Sequence, residues 1–552
     1  MVRKPAGLNT HAPAPFAGEG LYDWLRHREP RWAALGLIHR LDKETSGVVV
    51  FAKTPRANRS LTEQFAGRGV RKKYLLVTDR PVKQPRSTVV SALVRAGERY
   101  VGRPLHAGSE RAETRFHLAP PSSASLVPEP SGTGIGDVNE GRGRKPLAGW
   151  TLIEAEPLTG RTHQVRVHAA AQGFPILGDT LYGGTPAARV FLHAAELTIR
   201  HPATANEMTF TAPPDFAAQP RTALREALID PAETDACRLI HGAADGWPRW
   251  YVDRLGGLLL SQSDRPLAMD QLTELEKLLA ILPAPHSAPR APSAYHKALT
   301  RPIRPPPVAA ASPRLVFGPP APEQFVIREN GVAFELSLSA GGSVGLFLDQ
   351  RDNRRRFTTG HVAAGFALFP STIRTPSAPP TLLNTFAYTC GFSVCAARAG
   401  VRTTSLDLSG KYLDWGRRNF ALNGLDPAAH EFLVGGVFDW VRRLAKKGRG
   451  FAALALDPPT FSQSKHSGVF RAEKDYGALV AAALPLLQPE GILFASTNAA
   501  GLPPQAFLGA IEAAVRAAGR RIVQRHYAPQ PPDFPITRAE PAYLKTVWMR
   551  VV

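Results

Sequence analysis

Asn384-Thr385-Phe386-Ala387-Tyr388-Thr389-Cys390-Gly391-Phe392 closes a short apolar run, Leu382–Ala387, and opens a stretch with helical patterning. A strand that turns straight into a helix brings backbone N–H groups close to a ligand at the strand's carboxyl end. Working outward, the pattern recurs. Strand-like runs at Thr403–Leu408, Ala452–Leu456 and Gly491–Ser496 alternate with helical segments such as Lys411–Leu422 and Tyr476–Leu487. This alternation predicts a doubly wound parallel sheet, an α/β Rossmann-like domain. Asp407 ends the second strand, where a carboxylate can bind ribose hydroxyls. Asp457-Pro458-Pro459-Thr460-Phe461 ends a later strand. Its prolines stiffen a loop that can present carbonyls and a carboxylate to a planar base, with Phe461 available for stacking.

The first 220 residues read differently. Residues 35–53 end in a strand-like apolar run, residues 57–67 and Arg161–Gln172 look helical, and residues 150–156 alternate as a strand. The expectation is a mixed α+β domain. His39-Arg40-Leu41-Asp42-Lys43-Glu44-Thr45-Ser46-Gly47 sets a carboxylate among cations, which keep it ionised as nucleophile or electrostatic stabiliser. A lone Asp in a polar turn is, by itself, ordinary turn structure. Arg161-Thr162-His163-Gln164-Val165-Arg166 offers groups that can read phosphates or base edges.

Proline and glycine mark the seams. Residues 119–147 read as a disordered insertion and Leu282–Pro322 as an extended proline-rich linker; Pro370–Pro380 is a shorter cluster. The 552 residues carry a net charge of +21, with +10 in residues 1–220, +2 in 221–320 and +9 in 321–552. Two basic lobes call for a polyanionic partner, by default nucleic acid; a compositional bias toward arginine would give the same sign. No apolar run approaches the roughly 18–20 residues of a membrane span, and the first residues lack a signal peptide's apolar stretch. Cys237, Cys390 and Cys395 are too few for a disulfide framework or a four-cysteine zinc site. The expectation is a reduced, cytoplasmic, multidomain protein without membrane or metal.

Together the two N-terminal clusters resemble the RluA-type pseudouridine synthases, whose hallmark is an HRLDxxTSG loop. Lys4-Pro5-Ala6-Gly7-Leu8, Lys73-Tyr74, Gly160–Arg166, Gly178-Asp179, Leu181-Tyr182-Gly183 and His193 extend the likeness over about residues 1–212. The resemblance implies that Asp42 is the catalytic aspartate, that Arg161 pairs with it, and that Tyr74 stacks on the flipped base and removes its C5 proton. It also implies RNA contacts from Arg40, His163, Gln164 and Arg166, and no cofactor. The family has a further strand upstream of the KPAGL turn, which this chain, beginning at Met1, is not expected to supply.

The C-terminal lobe resembles class I S-adenosylmethionine-dependent methyltransferases, more narrowly the RlmI and RlmK group. Gly345–Arg351, Asn384–Phe392, Asp407, Asn423-Gly424-Leu425 and Asp457–Lys465 carry the likeness, and Arg238–Ser261 resembles the small central domain preceding the methyltransferase in RlmI. Carried over, Tyr388, Thr389, Gly391, Asp407, Asp439 and Asp457 contact S-adenosylmethionine. Asp439 stands nearest to the acidic residue that relatives carry at Gly435-Gly436 for the adenine amine. Asp457 doubles as a catalytic residue, with Pro458, Pro459 and Phe461 on the RNA. The domains expected are a synthase at 1–215, a small α+β domain at 225–281, a linker at 282–322 and a methyltransferase at 323–552. Cytosine C5 needs a cysteine adduct first, and neither Asp457–Thr460 nor Ala495–Asn498 contains one. A guanine nitrogen is therefore the expected target, in 23S rRNA or a large-subunit assembly intermediate. The alternatives are 5-methylcytosine formation and a non-catalytic assembly factor.

Overall fold

The computed structural model describes residues 1–120, 149–282, 292–299, 312–340, 343–369, 379–464 and 468–552. They fall into two compact units, one built mainly from Ala34–Ala227 and the other mainly from Leu228–Val552.

The first unit is a mixed, largely antiparallel sheet. Its order is Val2–Lys4, Ser46–Val49, Leu192–Arg200, Arg71–Thr78, Thr151–Pro157, Arg111–Leu118, Arg86–Ala96 and Arg99–Arg103, with Glu207–Thr211 also on Leu192–Arg200. The helices Pro55–Ala66 and Gln164–Ala171 accompany it. The residues just after the start serve as a short edge strand, pairing antiparallel with Gly47–Val49. Gly47 has φ +123°, and a Cβ there would lie 2.2 Å from the Ala194 carbonyl oxygen. Only glycine lets the loop carrying Asp42 run into the sheet this closely. The insertion expected at 119–147 lies almost wholly outside the described residues.

The second unit contains the expected doubly wound sheet. Its order is Glu431–Val434, Arg402–Asp407, Thr381–Thr385, Phe451–Leu456, Leu487–Thr497, Lys545–Val551 and Ile522–Ala528. The first five pair in parallel and the last two antiparallel. Phe451–Leu456 is buried at every position, as a central strand covered on both faces must be.

The same unit holds a five-stranded sheet, Ala236–His241, Trp250–Leu255, Leu258–Ser263, Ser293–Ala298 and Arg314–Phe317, with the helix Met269–Ala280. This corrects the reading of 282–322 as a linker. Ser293–Ala298 is a central strand, parallel to Leu258–Ser263 and antiparallel to Arg314–Phe317. The six residues contain no proline; Pro292 and Pro313 stand just before the two strands, where a missing N–H breaks no ladder bond. The Pro370–Pro380 cluster lies mostly outside the described residues.

Residues Ala12–Glu19 and Asp23–Ala33 also belong to the second unit. The Trp24 indole donates to Asp352 Oδ2 at 3.1 Å, and Arg355 pairs with Glu29. The helix Arg351–Thr359 is also pinned by bidentate pairs, Arg351 to Asp533 and Arg354 to Glu329.

Candidate active sites

In the first unit a cavity of about 430 Å³ is lined by Arg40, Asp42, Lys72, Tyr74, Arg161, His163 and Arg166. The segment from Lys4 to Thr10 holds the residues on either side of Asp42. The buried Lys4 Nζ donates to Leu8 O at 2.6 Å and Lys43 O at 3.1 Å, and Gly7 N donates to Lys43 O at 2.8 Å. Thr10 and Leu41 exchange two hydrogen bonds. The KPAGL turn thus clamps the loop from below; burial lowers the Lys4 ammonium to about 7.

The cation beside Asp42 is Arg166, not Arg161. Arg166 Nη1 lies 3.6 Å from both Asp42 and Glu44, while its Nε and Nη2 bind Asp179 at 2.7 and 2.8 Å. Burial opposes its charge, but the Asp179 bonds and the three carboxylates raise its pKa above the ordinary value. Arg161 instead pairs with Glu110 at 2.7 Å, its side chain 37% exposed. The physical reason is helix phase. Arg166 sits in the buried helix Gln164–Ala171, whereas Arg161 lies in the turn before it.

Gln164, expected on RNA, is committed internally. Its amide donates to Glu113 O and Thr114 Oγ1 and accepts from Thr159 and Arg161 N. His163 does face the cavity, with Nε2 4.0 Å from Asp42 and Nδ1 2.8 Å from the Tyr182 hydroxyl. Its φ of +56° is the kind of strained backbone that clusters at working sites. Burial outweighs Asp42 and lowers its pKa, which favours the neutral ring. Burial, then the Asp42 charge, raises the Tyr74 phenol. Arg40 is exposed at the rim. Lys4, Asp179 and Tyr182 stood in the quoted motifs without a role; their shared loops were the only signal.

In the second unit the turn after Thr381–Thr385 is left-handed at Phe386, Tyr388 and Cys390. Asp407 fastens it, accepting from Tyr388 N and Ser409 N, each at 2.9 Å. The Thr389 hydroxyl donates to Gly345 O at 2.6 Å and the Tyr388 hydroxyl to Ser343 Oγ at 2.8 Å. Gly391 opens the following helix, and a Cβ there would press on Arg354 and Leu346 at 3.3 Å. Beside this turn a cavity of about 300 Å³ is lined by Phe386, Leu408, Gly436, Val437, Phe438 and Phe470. Asp439 is absent from that lining; it pairs with Arg442 at 2.6 Å in the helix Val437–Lys446.

Burial raises the Asp457 carboxyl to about 6, against a hydrogen bond from Ser496. Gln350 Nε2 lies 3.4 Å from Asp457 and donates to Ser496 Oγ at 2.7 Å. Pro458 is buried, Pro459 exposed and Phe461 54% exposed, with the Arg471 guanidinium 6.0 Å from its ring centre. The Thr460 hydroxyl donates to Asn498 Oδ1 at 2.7 Å, linking the two strand-end loops. Gln350 and Ser496 were missed because single polar residues carry no motif of their own. Cys390 and Cys395 are buried, and burial pushes both thiols up to about 12.

Comparison with known proteins separates the same two parts. Residues 1–171 match the RNA pseudouridylate synthase family, and residues 237–550, more than half the chain, match the S-adenosylmethionine-dependent methyltransferase family. A Deinococcus radiodurans protein named ribosomal RNA large subunit methyltransferase is 32% identical over 343 residues, covering 61% of this chain and 78% of that one. Ribosomal RNA large subunit methyltransferase K of Neisseria meningitidis is 38% identical over 180 residues, 32% of this chain and 46% of that one. Ribosomal large subunit pseudouridine synthase D of Xylella fastidiosa is 37% identical over 247 residues, 41% of this chain and 66% of that one.

Proposed function

This chain belongs to the S-adenosylmethionine-dependent methyltransferase family and carries an RNA pseudouridylate synthase domain ahead of it; from that premise we propose that it modifies large-subunit ribosomal RNA, 23S rRNA, at two bases by two chemistries, in the cytoplasm. The names of its relatives and its charge of +21 support that substrate.

The observation carrying the first activity is a carboxylate at a cavity with a captive arginine beside it. Isomerising uridine breaks the C1′–N1 bond, turns the base and rejoins it through C5, which gives up its proton to water as N1 takes one. Asp42 is the nucleophile toward C1′ or C6. Arg166, 3.6 Å away, aims it and is itself held by Asp179. The raised pKa of Tyr74 favours a stacking face over a proton acceptor. No cofactor enters this scheme. Arg40 and Arg161, at the rim, meet phosphates.

For the second activity the cofactor supplies an electrophilic methyl group. The residues fit it: an apolar slot with Phe386, Phe438 and Phe470 suits adenine, and the strand-end carboxylate of Asp407 suits ribose hydroxyls. Tyr388, Thr389 and Gly391 would hold the remainder. Asp457, ionised at neutral pH, accepts a hydrogen from the target nitrogen, while Pro458, Pro459 and Phe461 bracket the base. Two buried, protonated cysteines favour a guanine nitrogen over cytosine C5.

Mass spectrometry of nucleosides from rRNA incubated with labelled S-adenosylmethionine tests both halves. Asp42→Ala is expected to abolish pseudouridine and leave a methylated guanine. Labelled 5-methylcytosine would sink the base assignment. Equal loss of both products in a folded variant would sink the independence of the sites.

A further inference from the structure

Glu19 precedes the helix Leu21–Arg28, His27 lies in its last turn, and His526 lies in the strand Ile522–Ala528. Each offers one ligand atom, and all three atoms lie within 4.8 Å of one another. His27 Nδ1 is 2.7 Å from Glu19 Oε1, and the two imidazole centres are 4.4 Å apart. His526 Nε2 is buried and has no hydrogen-bond partner among the described residues. A buried polar atom left without a partner on this ring calls for one. We propose that Glu19, His27 and His526 form a binding site for a divalent transition metal of the zinc class.

Two imidazoles and a carboxylate are a fitting donor set; ligand atoms about 2.0–2.2 Å from a tetrahedral ion lie roughly 3.4 Å apart, so the His27–Glu19 pair opens from 2.7 Å while the wider separations, within 4.8 Å, close. Arg356, whose Nη2 is 3.6 Å from Glu19, is the competing cation. Its guanidinium is also engaged by Val362 O at 3.0 Å and Asn353 Oδ1 at 3.4 Å. A cavity of about 340 Å³, lined by His27, Phe366, Gln524 and His526, gives water access for a fourth position. The site has no cysteine, which is why counting cysteines predicted no metal. Bound there, an ion would staple the N-terminal helix to the far edge of the methyltransferase sheet.

The test uses the full chain without an affinity tag, stripped by a chelator and titrated with Zn²⁺ by calorimetry and with Co²⁺ by visible absorption. The expectation is one equivalent bound, a tetrahedral Co²⁺ spectrum and a higher melting temperature with Zn²⁺. Losing even a group that only hydrogen-bonds a metal ligand costs about 10–100-fold in affinity, so Glu19→Gln and His526→Gln should weaken binding by about 100-fold or more. Glu19→Gln preserves shape if His526→Gln fails to fold. Absence of stoichiometric binding, or binding unchanged in the folded variants, overturns the proposal.

Discussion

Asp457 meets Gln350 and Ser496 but no ion-pair partner among the described residues, and its raised pKa has two consequences of opposite sign. Between pH 3.8 and about 6 the folded chain holds this proton more tightly than the unfolded chain. Stability from this group therefore falls as pH rises through that window and stays low above it. Asp457→Asn should stabilise the protein at pH 7 by on the order of 1–3 kcal/mol, read from denaturant melts. Methylation should fall as pH drops through about 6; initial rates across pH check this. Arg166 makes the second residue-scale case. Arg166→Lys loses the bidentate hold on Asp179 and the aim at Asp42, and should lower kcat for pseudouridine by about 100-fold. Arg161→Ala should act mainly on KM. The two arginines stand in one motif, and the sequence pattern alone does not say which faces inward. That is settled by helix phase, which starts at Gln164.

At the scale of elements, the parallel strands were legible because apolar runs end at acids, Asp407 and Asp457, or run straight into a helix, as after Thr385. The strand Ser293–Ala298 was hidden because proline density, averaged over forty residues, masks a six-residue gap. Its two neighbours make it a demanding place for an imino acid. Tyr295→Pro removes a backbone donor and the hydroxyl that accepts from Ala321 N at 2.7 Å. Each polar group left buried and unpaired costs about 1–3 kcal/mol. A lower melting temperature of the second unit, with pseudouridine formation retained, is the expected result in a calorimetric scan. The left-handed turn at Phe386, Tyr388 and Cys390 was likewise invisible, since only one of its neighbours, Gly391, is a glycine.

For the whole molecule, the charge of +21 divides between the two modifying lobes, so both activities should lose RNA affinity as salt rises, through counterion release. Parallel KM measurements from low to physiological salt check it, and an unchanged KM for either product would detach that lobe from phosphate binding. The two family matches were legible end to end from ordered motifs, whereas the assignment of Ala12–Glu19 and Asp23–Ala33 to the second unit was not. No local pattern tells a helix that its partner lies hundreds of residues away. Trp24 and Glu29 find theirs at Asp352 and Arg355. At about 5–20 residues per second of synthesis, that helix leaves the ribosome on the order of half a minute before Asp352 exists. One of the first segments to be made must therefore stay unclaimed until late in translation, and a methyltransferase half produced alone from residue 228 would never receive it.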